Sequence, residues 1–458
     1  MPNTPLSASA MAPPALVVHA VSRSDIGMRR STNQDAVTIV PAAGPDGKNS
    51  PIQGDAFLMV ADGMGAHAAG ELASKIAVDT IPLAYAKSRG EAPPAALRQA
   101  IRLANDKIHQ KGSSSSEFHG MGTTCSCLVL TQGAAIVGHV GDSRVYRLRH
   151  RVLEQLTFDH SLVWEMAAAS KVSADRVPAC IPKNVITRSL GPHETVMIDL
   201  EGPHELCEGD VFLLCSDGLT GVVDDPMAGS LLSALEPEAA AEALVNLANL
   251  RGGPDNISVI VARVEKAGDC CGGSCHSSAA GTDSLPPAGV ALATACTVAM
   301  LLSIYYSAFG MALLFAVGLG AALAYTLSRR PEASPAALPP ILGEALGNGP
   351  YRRTECGDHA AAAGDLRDLV RELSSLHSDE DTVRPDGEVS SNGHAKDASY
   401  SLDWEPFKAS QEVADSAFER GDYLGAIAHY AQIIASAMTL VRGDDDTKRY
   451  AARDGILS

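Results

Sequence analysis

An apolar strand that runs into an aspartate lies at residues 57–63, which read FLMVADG. The pattern recurs at residues 136–143, which read IVGHVGDS, and at residues 211–218, which read VFLLCSDG. Two further aspartates flank predicted strands, since Asp255 directly precedes the last strand and Asp35 precedes the first extended run. At any single site, an aspartate and a glycine after a strand are typical of a turn, so each motif alone has a purely structural interpretation.

Five carboxylates at strand ends together favour a common site. Carboxylates that converge repel one another, and a hard divalent cation is the natural compensation for that repulsion. Because no histidine or cysteine adjoins these aspartates, the oxygen-only ligand set favours Mg²⁺ or Mn²⁺ over Zn²⁺. The sequence therefore predicts a site for hard cations where these strands end.

Composition is typical of a globular protein with more than one domain. The 458 residues exceed a single ordinary domain, and 46% of them are apolar although only 4% are aromatic. A net charge of −18 argues against nucleic-acid binding, which needs clustered positive charge. The ten cysteines follow no regular disulfide spacing and the N-terminus has no secretory signal, which favours a cytosolic setting.

Sequence patterns also divide the chain along its length. Short β-type runs alternate with helical stretches near residues 68–87, 94–110 and 237–250, which predicts an α+β domain. No charged residue occurs between Asp283 and Arg329, and this run is long enough for two membrane-spanning helices of about 20 residues each. The predicted order is a disordered N-terminus (1–14), the α+β domain (15–265), a linker rich in Cys, Gly and Ser (266–285), a transmembrane segment in the form of a two-helix hairpin (286–328), a disordered linker (329–400), a helical hairpin (401–440) and a tail (441–458).

Motifs throughout the α+β domain resemble those of the metal-dependent protein phosphatases of the PPM or 2C type, particularly their bacterial members. The matching residues are Ser24-Asp25-Ile26-Gly27, Arg30, Asn33-Gln34-Asp35, Ala61-Asp62-Gly63-Met64-Gly65, Ala69-Gly70-Glu71, Gly120-Met121-Gly122-Thr123-Thr124, Gly141-Asp142-Ser143-Arg144, Leu156-Thr157, Asp159-His160-Ser161, Thr187-Arg188, Leu190-Gly191, Ser216-Asp217-Gly218 and Asp255-Asn256. The resemblance implies a four-layer αββα sandwich, in which helices flank two antiparallel sheets. In this chain a transmembrane helical segment and a small helical tail would follow the sandwich.

The resemblance also implies metal ligands, residue by residue. Asp62, Asp217 and Asp255 are the implied ligands of two Mn²⁺ or Mg²⁺ ions, together with the backbone carbonyl of Gly63. Asp142 is the implied ligand of a third, weaker ion that it shares with Asp217.

Four further residues have roles that the resemblance implies. Asp35 and Gln34 hydrogen-bond to water around the ions, and Gln34 stands where many relatives carry glutamate. Arg30 binds the phosphate, a role suited to a planar guanidinium with several hydrogen-bond donors. The alternative interpretation is a solvated arginine beside Arg29. His67 either protonates the leaving alkoxide or only caps the following helix.

The implied reaction is the hydrolysis of phosphoserine and phosphothreonine on proteins, in opposition to serine/threonine kinases. Two ions activate a water that attacks phosphorus in line, and no phosphoenzyme is needed. A pseudophosphatase that keeps the fold for binding is one alternative, and a membrane scaffold built on the C-terminal helices is another. The presence of every metal-binding aspartate favours the enzyme.

Other residues near these motifs have structural interpretations or a role in specificity. We assign His139 and His160 to structure, and Ser161 lacks the oxyanion motif that a hydrolase triad requires. Residues 171–183 correspond to the variable flap beside the active site of the related phosphatases, where they would tune substrate choice.

The predicted membrane segment has basic residues after it. Arg329 and Arg330 directly follow the uncharged run, which favours a cytoplasmic flank. Since the catalytic domain must also meet its substrates in the cytoplasm, we expect a two-helix hairpin in the cell membrane. Cys270, Cys271 and Cys275 precede it; they bind a metal, carry a lipid or simply belong to a Gly/Ser-rich linker.

The last helical stretch, residues 409–440, resembles one tetratricopeptide-type repeat. Ala417 and Ala426 would allow two helices to approach closely, with a break at Gly421. An ordinary amphipathic hairpin is the alternative interpretation. Because a single repeat cannot bury its apolar face alone, we expect it to pack on another protein, on a second copy or on the phosphatase domain.

Overall fold

The computed structural model describes residues 16–266, apart from 43–51, 53, 67, 89, 132, 173–175, 179 and 183–184, together with residues 345–378 and 404–442. All of these residues belong to one compact unit. Its strands are β1 (Val17–Asp25), β2 (Asp35–Val40), β3 (Ala56–Met64), β4 (Gly122–Thr123), β5 (Cys125–Thr131), β6 (Ala134–Val140), β7 (Arg144–Arg149), β8 (Val152–Gln155), β9 (Asp199–Glu205), β10 (Val211–Cys215), β11 (Ile257–Lys266) and β12 (Arg352–Glu355). Its helices are α1 (Ala68–Lys87), α2 (Pro93–Ser114), α3 (Leu162–Ser170), α4 (Asp217–Thr220), α5 (Asp225–Ala234), α6 (Pro237–Leu250), α7 (Ala360–Ser378), α8 (Lys408–Glu419) and α9 (Tyr423–Arg442).

Two antiparallel sheets form the centre of the unit, as predicted. The first has the strand order β1-β11-β10-β7-β8-β12, and the second has the order β2-β3-β5-β6-β9 with β4 paired to β3. Helices α1 and α2 pack on the outer face of the second sheet, and α5 and α6 pack on the outer face of the first. This arrangement is the αββα sandwich that the resemblance implies.

Strand β3 shows why a continuous apolar run forms a strand here. Leu58 and Val60 are fully buried in the core between the two sheets. Phe57 and Met59 point to the opposite face, where they pack against α1 and α2. Successive side chains of a strand alternate between faces, so a strand with a packed layer on each side needs apolar residues at every position.

The C-terminal region differs from the disordered linker predicted for residues 329–400. Within it, β12 pairs with β8 and extends the first sheet, and α7 follows. Ala363, Leu366 and Val370 recur at helical spacing and are buried in the core that α5 and α6 share. The prediction was wrong for residues 345–378 because the many Pro, Asp, Ser and Gly residues of the wider segment obscured this short apolar stripe.

Residues 404–442 contain a helical hairpin, close to the range predicted for one. Helix α8 ends where Gly421 adopts a left-handed conformation with φ of 78°, and the Asp422 carboxylate accepts a hydrogen bond of 3.1 Å from the Gly425 N–H. Ile427 and Tyr430 of α9 are fully buried in the core that α5 and α6 share. The hairpin therefore covers its apolar face with the domain itself. Its likeness to a tetratricopeptide repeat stays a prediction.

The predicted transmembrane segment, residues 286–328, lies outside the described residues. Within the described ranges, no helix combines the length and the apolar character needed to cross a bilayer. The predicted N-terminal segment 1–14, most of the linker 266–285 and most of the tail 441–458 also lie outside them.

Candidate metal centre

The five predicted aspartates come together at one end of the two sheets. Asp62 lies near the end of β3, directly opposite Asp35 of β2 in the strand register. Asp217 follows β10 and begins α4, while Asp255 immediately precedes β11. Asp142 lies in the turn between β6 and β7. We call these residues the carboxylate cluster.

Mutual repulsion is evident in the pKa values of the carboxylate cluster. Burial raises the pKa of Asp62 well above its usual range, and the charges of Asp35, Asp217, Asp142 and Asp255 raise it further. Burial, with a contribution from Asp217, raises the pKa of Asp35 to about 7 and that of Asp142 to about 8. The cluster therefore cannot be fully ionised at neutral pH unless positive charge is added.

Unsatisfied oxygens support the fit of this cluster to hard cations. One carboxylate oxygen each of Asp35, Asp142 and Asp217 is buried and accepts no hydrogen bond. A buried polar group without a partner costs about 1–3 kcal/mol, whereas Mg²⁺ and Mn²⁺ prefer such oxygen ligands. The donor set therefore fits these cations.

The side chains are not arranged around a single ion in this geometry. Among the described residues, no three His, Cys, Asp or Glu side chains converge closely enough to hold a metal ion. One carboxylate is engaged by a cation of the protein instead: the Arg30 guanidinium donates to Asp255 Oδ2 at 2.7 Å. Ion binding by the full set thus requires this contact to open.

Two glycines fix the backbone beside the candidate ligands Asp62 and Asp217. A Cβ atom at Gly63 would lie 2.2 Å from the Gly70 carbonyl oxygen, and one at Gly218 would lie 2.0 Å from the Asn256 carbonyl oxygen. Neither position has the left-handed conformation of a tight turn, since Gly63 lies within β3 and Gly218 within α4. The glycine that follows Asp62 and Asp217 is therefore required by close backbone approach, and the turn interpretation is wrong at both sites.

Asn256 is a supporting residue that the sequence analysis named only within the Asp255-Asn256 motif, without a role. Its side-chain oxygen accepts a hydrogen bond of 2.9 Å from the Gln34 N–H, and its amide donates to the carbonyls of Ile26 and Thr32. These contacts tie the segment that carries Arg30 to the start of β11. Its position directly after Asp255 was the only sequence signal for this role.

Arg30 lies at the exposed edge of the carboxylate cluster. Its side chain is 52% exposed while it contacts Asp255. The hydrogen bond and charge of Asp255 raise the pKa of Arg30, and Asp62 and Asp217 contribute. A guanidinium that is both close to the carboxylates and open to solvent is suited to binding an anion there. His67, the other predicted catalytic residue, lies outside the described residues.

Gln34 and Asp35 occupy the segment predicted to orient water. Asp35 accepts a hydrogen bond of 2.8 Å from the Ser216 hydroxyl, which places it beside Asp217. The side-chain N–H of Gln34 donates to the Gly65 carbonyl at 3.5 Å. The backbone carbonyl of Gln34 accepts hydrogen bonds from the Gly63 N–H and from the Ser74 hydroxyl. Asp35 thus lies within the cluster, whereas Gln34 braces the backbone of β3.

His160 holds the loop that carries Asp142. Its Nδ1 accepts a hydrogen bond of 3.0 Å from the Gly141 N–H, and its Nε2 lies 2.9 Å from Asp199, which also pairs with Arg188 at 3.1 Å. His139 is fully buried, and burial lowers its pKa to about 3. Both histidines pack within the domain, in keeping with the structural role predicted for them.

Comparison with known proteins places the domain in a family. The family model described as protein phosphatase 2C matches residues 29–249. Protein phosphatase PhpP of Streptococcus pneumoniae is 35% identical over 241 residues, which is 52% of this chain and 93% of that protein. Serine/threonine phosphatase stp of Listeria monocytogenes is 34% identical over 250 residues, covering 53% of this chain and 95% of that protein.

A solved structure is also similar to this chain. The crystal structure of the Mycobacterium tuberculosis serine/threonine phosphatase PstP/Ppp is 33% identical, covers 55% of this chain and 100% of that one, and has a TM-score of 0.48. Because the chain spans nearly the whole length of the two curated relatives at more than 30% identity, it belongs to the protein phosphatase 2C family.

Proposed function

We propose that the protein is a metal-dependent serine/threonine protein phosphatase. One observation carries the proposal: a cluster of carboxylates with buried, unsatisfied oxygens lies beside the partly exposed Arg30, within a domain of the protein phosphatase 2C family. The names of the relatives support the substrate class, since one is called a serine/threonine phosphatase. Phosphoserine and phosphothreonine on proteins are therefore the proposed substrates.

In this proposal, one group of residues binds the cations and a second group binds the phosphate. Asp62, Asp217 and Asp255 would hold two ions of Mn²⁺ or Mg²⁺, together with the backbone carbonyl of Gly63. Asp142 and Asp217 would hold a third ion. When bound, the cations supply positive charge against the phosphoryl oxygens and lower the pKa of water.

The other residues act on the phosphate and on protons. Arg30 leaves Asp255 and binds the phosphate with two of its donors, so that the phosphate is oriented as Asp255 becomes available. Asp35 accepts hydrogen bonds from water in the cluster and so orients it, while Gln34 braces the ligand segment. His67 is proposed to give the leaving alkoxide its proton.

Membrane attachment is a second part of the proposal. Residues 286–328 contain no charge, and Arg329 follows them. The described residues on either side of this run, within 16–266 and in 345–378 and 404–442, pack into one unit and so must lie on the same side of any membrane. A two-helix hairpin meets that requirement, with the catalytic domain in the cytoplasm at the cell membrane and serine/threonine kinases acting on the same proteins. A reporter fused after Ser458 should be active only inside the cell, and activity only outside would contradict the hairpin.

Turnover by the full-length chain tests the proposed activity. We expect hydrolysis of phosphothreonine and phosphoserine peptides in Mn²⁺, little hydrolysis of a phosphotyrosine peptide, and loss of turnover in excess chelator. Binding of Mn²⁺ and phosphopeptide without turnover would identify a pseudophosphatase instead.

A further inference from the structure

The C-terminal segment, residues 345–356, joins the edges of both sheets next to α3. Leu346 and Gly202 of β9 exchange backbone hydrogen bonds of 2.5 and 3.1 Å. Six residues later, Arg352 begins β12, which pairs with β8. This segment lies outside residues 29–249, the range that the family model matches. The segment is therefore an addition to the family domain.

An aromatic chain connects the C-terminal segment to α3. The Tyr351 ring lies 5.4 Å from the Phe158 ring, and Phe158 lies 5.3 Å from the ring of Trp164 on α3. The Tyr351 hydroxyl donates to Glu201 at 2.5 Å, and the Gly349 N–H donates to the same carboxylate at 2.9 Å. Tyr351 is thus bonded to Glu201 of β9, and its ring packs on Phe158, which in turn contacts Trp164.

Arg352 contacts Trp164 directly. Its guanidinium carbon lies 5.6 Å from the Trp164 ring centroid, the same distance as that of Arg144. Arg352 pairs with Asp225 at 3.5 Å, and Arg144 pairs with Asp159 at 2.7 Å. Trp164 is therefore held by two cations, one from the C-terminal segment and one from the residue two places after Asp142.

Helix α3 is in turn bonded to the loops around the carboxylate cluster. The Thr187 hydroxyl donates to Glu165 of α3 at 2.6 Å, and the Leu162 N–H donates to the Val185 carbonyl at 2.9 Å. The Thr187 N–H donates to the carbonyl of His160, the residue that holds the Asp142 loop. A displacement of α3 would therefore be felt at residues 185–188 and beside Asp142.

We propose that Tyr351 and Arg352 are positioning residues for substrate recognition, because they fix Trp164 and with it α3 beside the metal centre. The proposal rests on the proposed phosphatase function, since the substrate that α3 would help to align is a phosphopeptide. A small aryl phosphate has no peptide chain for α3 to align. Loss of the Arg352 contact should therefore impair peptide binding and spare the chemistry.

Arg353 supplies a matched control on the same strand. Its side chain is 66% exposed and pairs with Glu154 at 3.1 Å. Neighbouring side chains on a strand point to opposite faces, so Arg353→Ala removes the same charge from β12 without touching Trp164.

Kinetics of the full-length chain test the proposal. We expect Arg352→Ala to raise KM for a phosphothreonine peptide by about 2- to 10-fold, while kcat for the peptide and kcat/KM for p-nitrophenyl phosphate stay at the wild-type level. Arg352→Lys, which keeps the charge but not the planar guanidinium, should raise KM less. Arg353→Ala should leave the kinetic constants for both substrates at the wild-type level.

Fluorescence gives a readout that does not depend on activity. The chain has two tryptophans, so Trp404→Phe leaves Trp164 as the single reporter. Adding Arg352→Ala should make Trp164 more accessible to acrylamide quenching, whereas adding Arg353→Ala should not.

Each outcome has one meaning. Unchanged quenching, or an unchanged peptide KM in an active Arg352→Ala enzyme, overturns the positioning role alone. A wild-type chain that hydrolyses neither substrate overturns the proposed phosphatase function and this proposal with it. Equal loss of kcat on both substrates shows that Arg352 supports the metal centre and is not a recognition device.

Discussion

The charge that would make the aspartates of the cluster metal ligands also opposes their burial. Asp35 illustrates the conflict: it accepts a hydrogen bond from Ser216, yet its other oxygen has no partner and burial raises its pKa to about 7. A free aspartate has a pKa of about 3.9. Folding without a cation therefore favours the protonated form of Asp35.

Because the folded-state pKa of Asp35 is raised, its contribution to the free energy of unfolding is fully present below the unfolded pKa and is lost as pH rises through about 7. In chelator, we expect the wild-type Tm to fall more between pH 5.5 and pH 8 than the Tm of Asp35→Asn. The buried His139 has the opposite sign, but it is common to both proteins and cancels. Parallel pH profiles for the two proteins would show that Asp35 is not a source of this instability.

Arg30 gives a prediction about binding rather than stability. Arg30→Ala should lower kcat/KM for a phosphopeptide by about 10- to 100-fold, because a charge-assisted contact to phosphate contributes about 1.5–3 kcal/mol. Arg29, its exposed neighbour, supplies the control as Arg29→Ala. Equal kcat/KM for the two variants would show that Arg30 is only a surface residue.

The sequence predicted that the five aspartates lie at strand ends near one another, because an aspartate at the end of an apolar strand is a local pattern. The requirement for glycine at positions 63 and 218 could not be predicted from the neighbouring sequence. Their need to be glycine comes from backbone oxygens that lie 2.2 Å and 2.0 Å from where a Cβ atom would be, and those neighbours, Gly70 and Asn256, are fixed by tertiary structure. The supporting role of Asn256 escaped for the same reason.

Among the elements, the two sheets were predictable and the C-terminal additions were not. The apolar run of β3 identified a strand buried on both faces. The four residues of β12 carry two arginines and a glutamate, and such a strand is recognisable only by its pairing with β8. Helix α7 has a short apolar stripe in a segment whose overall composition is that of a linker.

Helix α9 provides a test of whether the C-terminal region is part of the domain. Ile427 is fully buried in the core that α5 and α6 share, whereas Val413 of α8 is 50% exposed. Ile427→Ala should lower the free energy of unfolding by about 2–5 kcal/mol, because it removes packed methyl groups and leaves a cavity. Val413→Ala should change it by less than about 0.5 kcal/mol. The measurement is chemical denaturation followed by circular dichroism, and equal effects of the two substitutions would mean that the hairpin does not pack on the core.

The molecule as a whole contains a family domain and a C-terminal region that returns to it after a long uncharged run. Because the C-terminal region packs on the family domain, removing it should destabilise that domain. Residues 1–266 alone would expose the apolar faces of α5 and α6, so we expect that fragment to melt at a lower temperature than the full chain and to bind more of a hydrophobic dye. Residues 401–458 alone should be poorly folded. An autonomous, cooperative melt of either fragment at the full-length temperature would contradict this dependence.

A calorimetric titration of Mn²⁺ into the chelator-stripped, full-length chain, with turnover of a phosphothreonine peptide measured on the same samples, tests the central claim most directly. The control is Asp368→Asn, an aspartate of α7 whose side chain is 74% exposed. We predict that the wild-type chain and Asp368→Asn bind two or more ions and turn over, and that Asp62→Asn and Asp217→Asn lose ion binding and turnover together. Wild-type Mn²⁺ binding and turnover by Asp217→Asn at saturating Mn²⁺ would contradict the assignment of the carboxylate cluster as the metal centre.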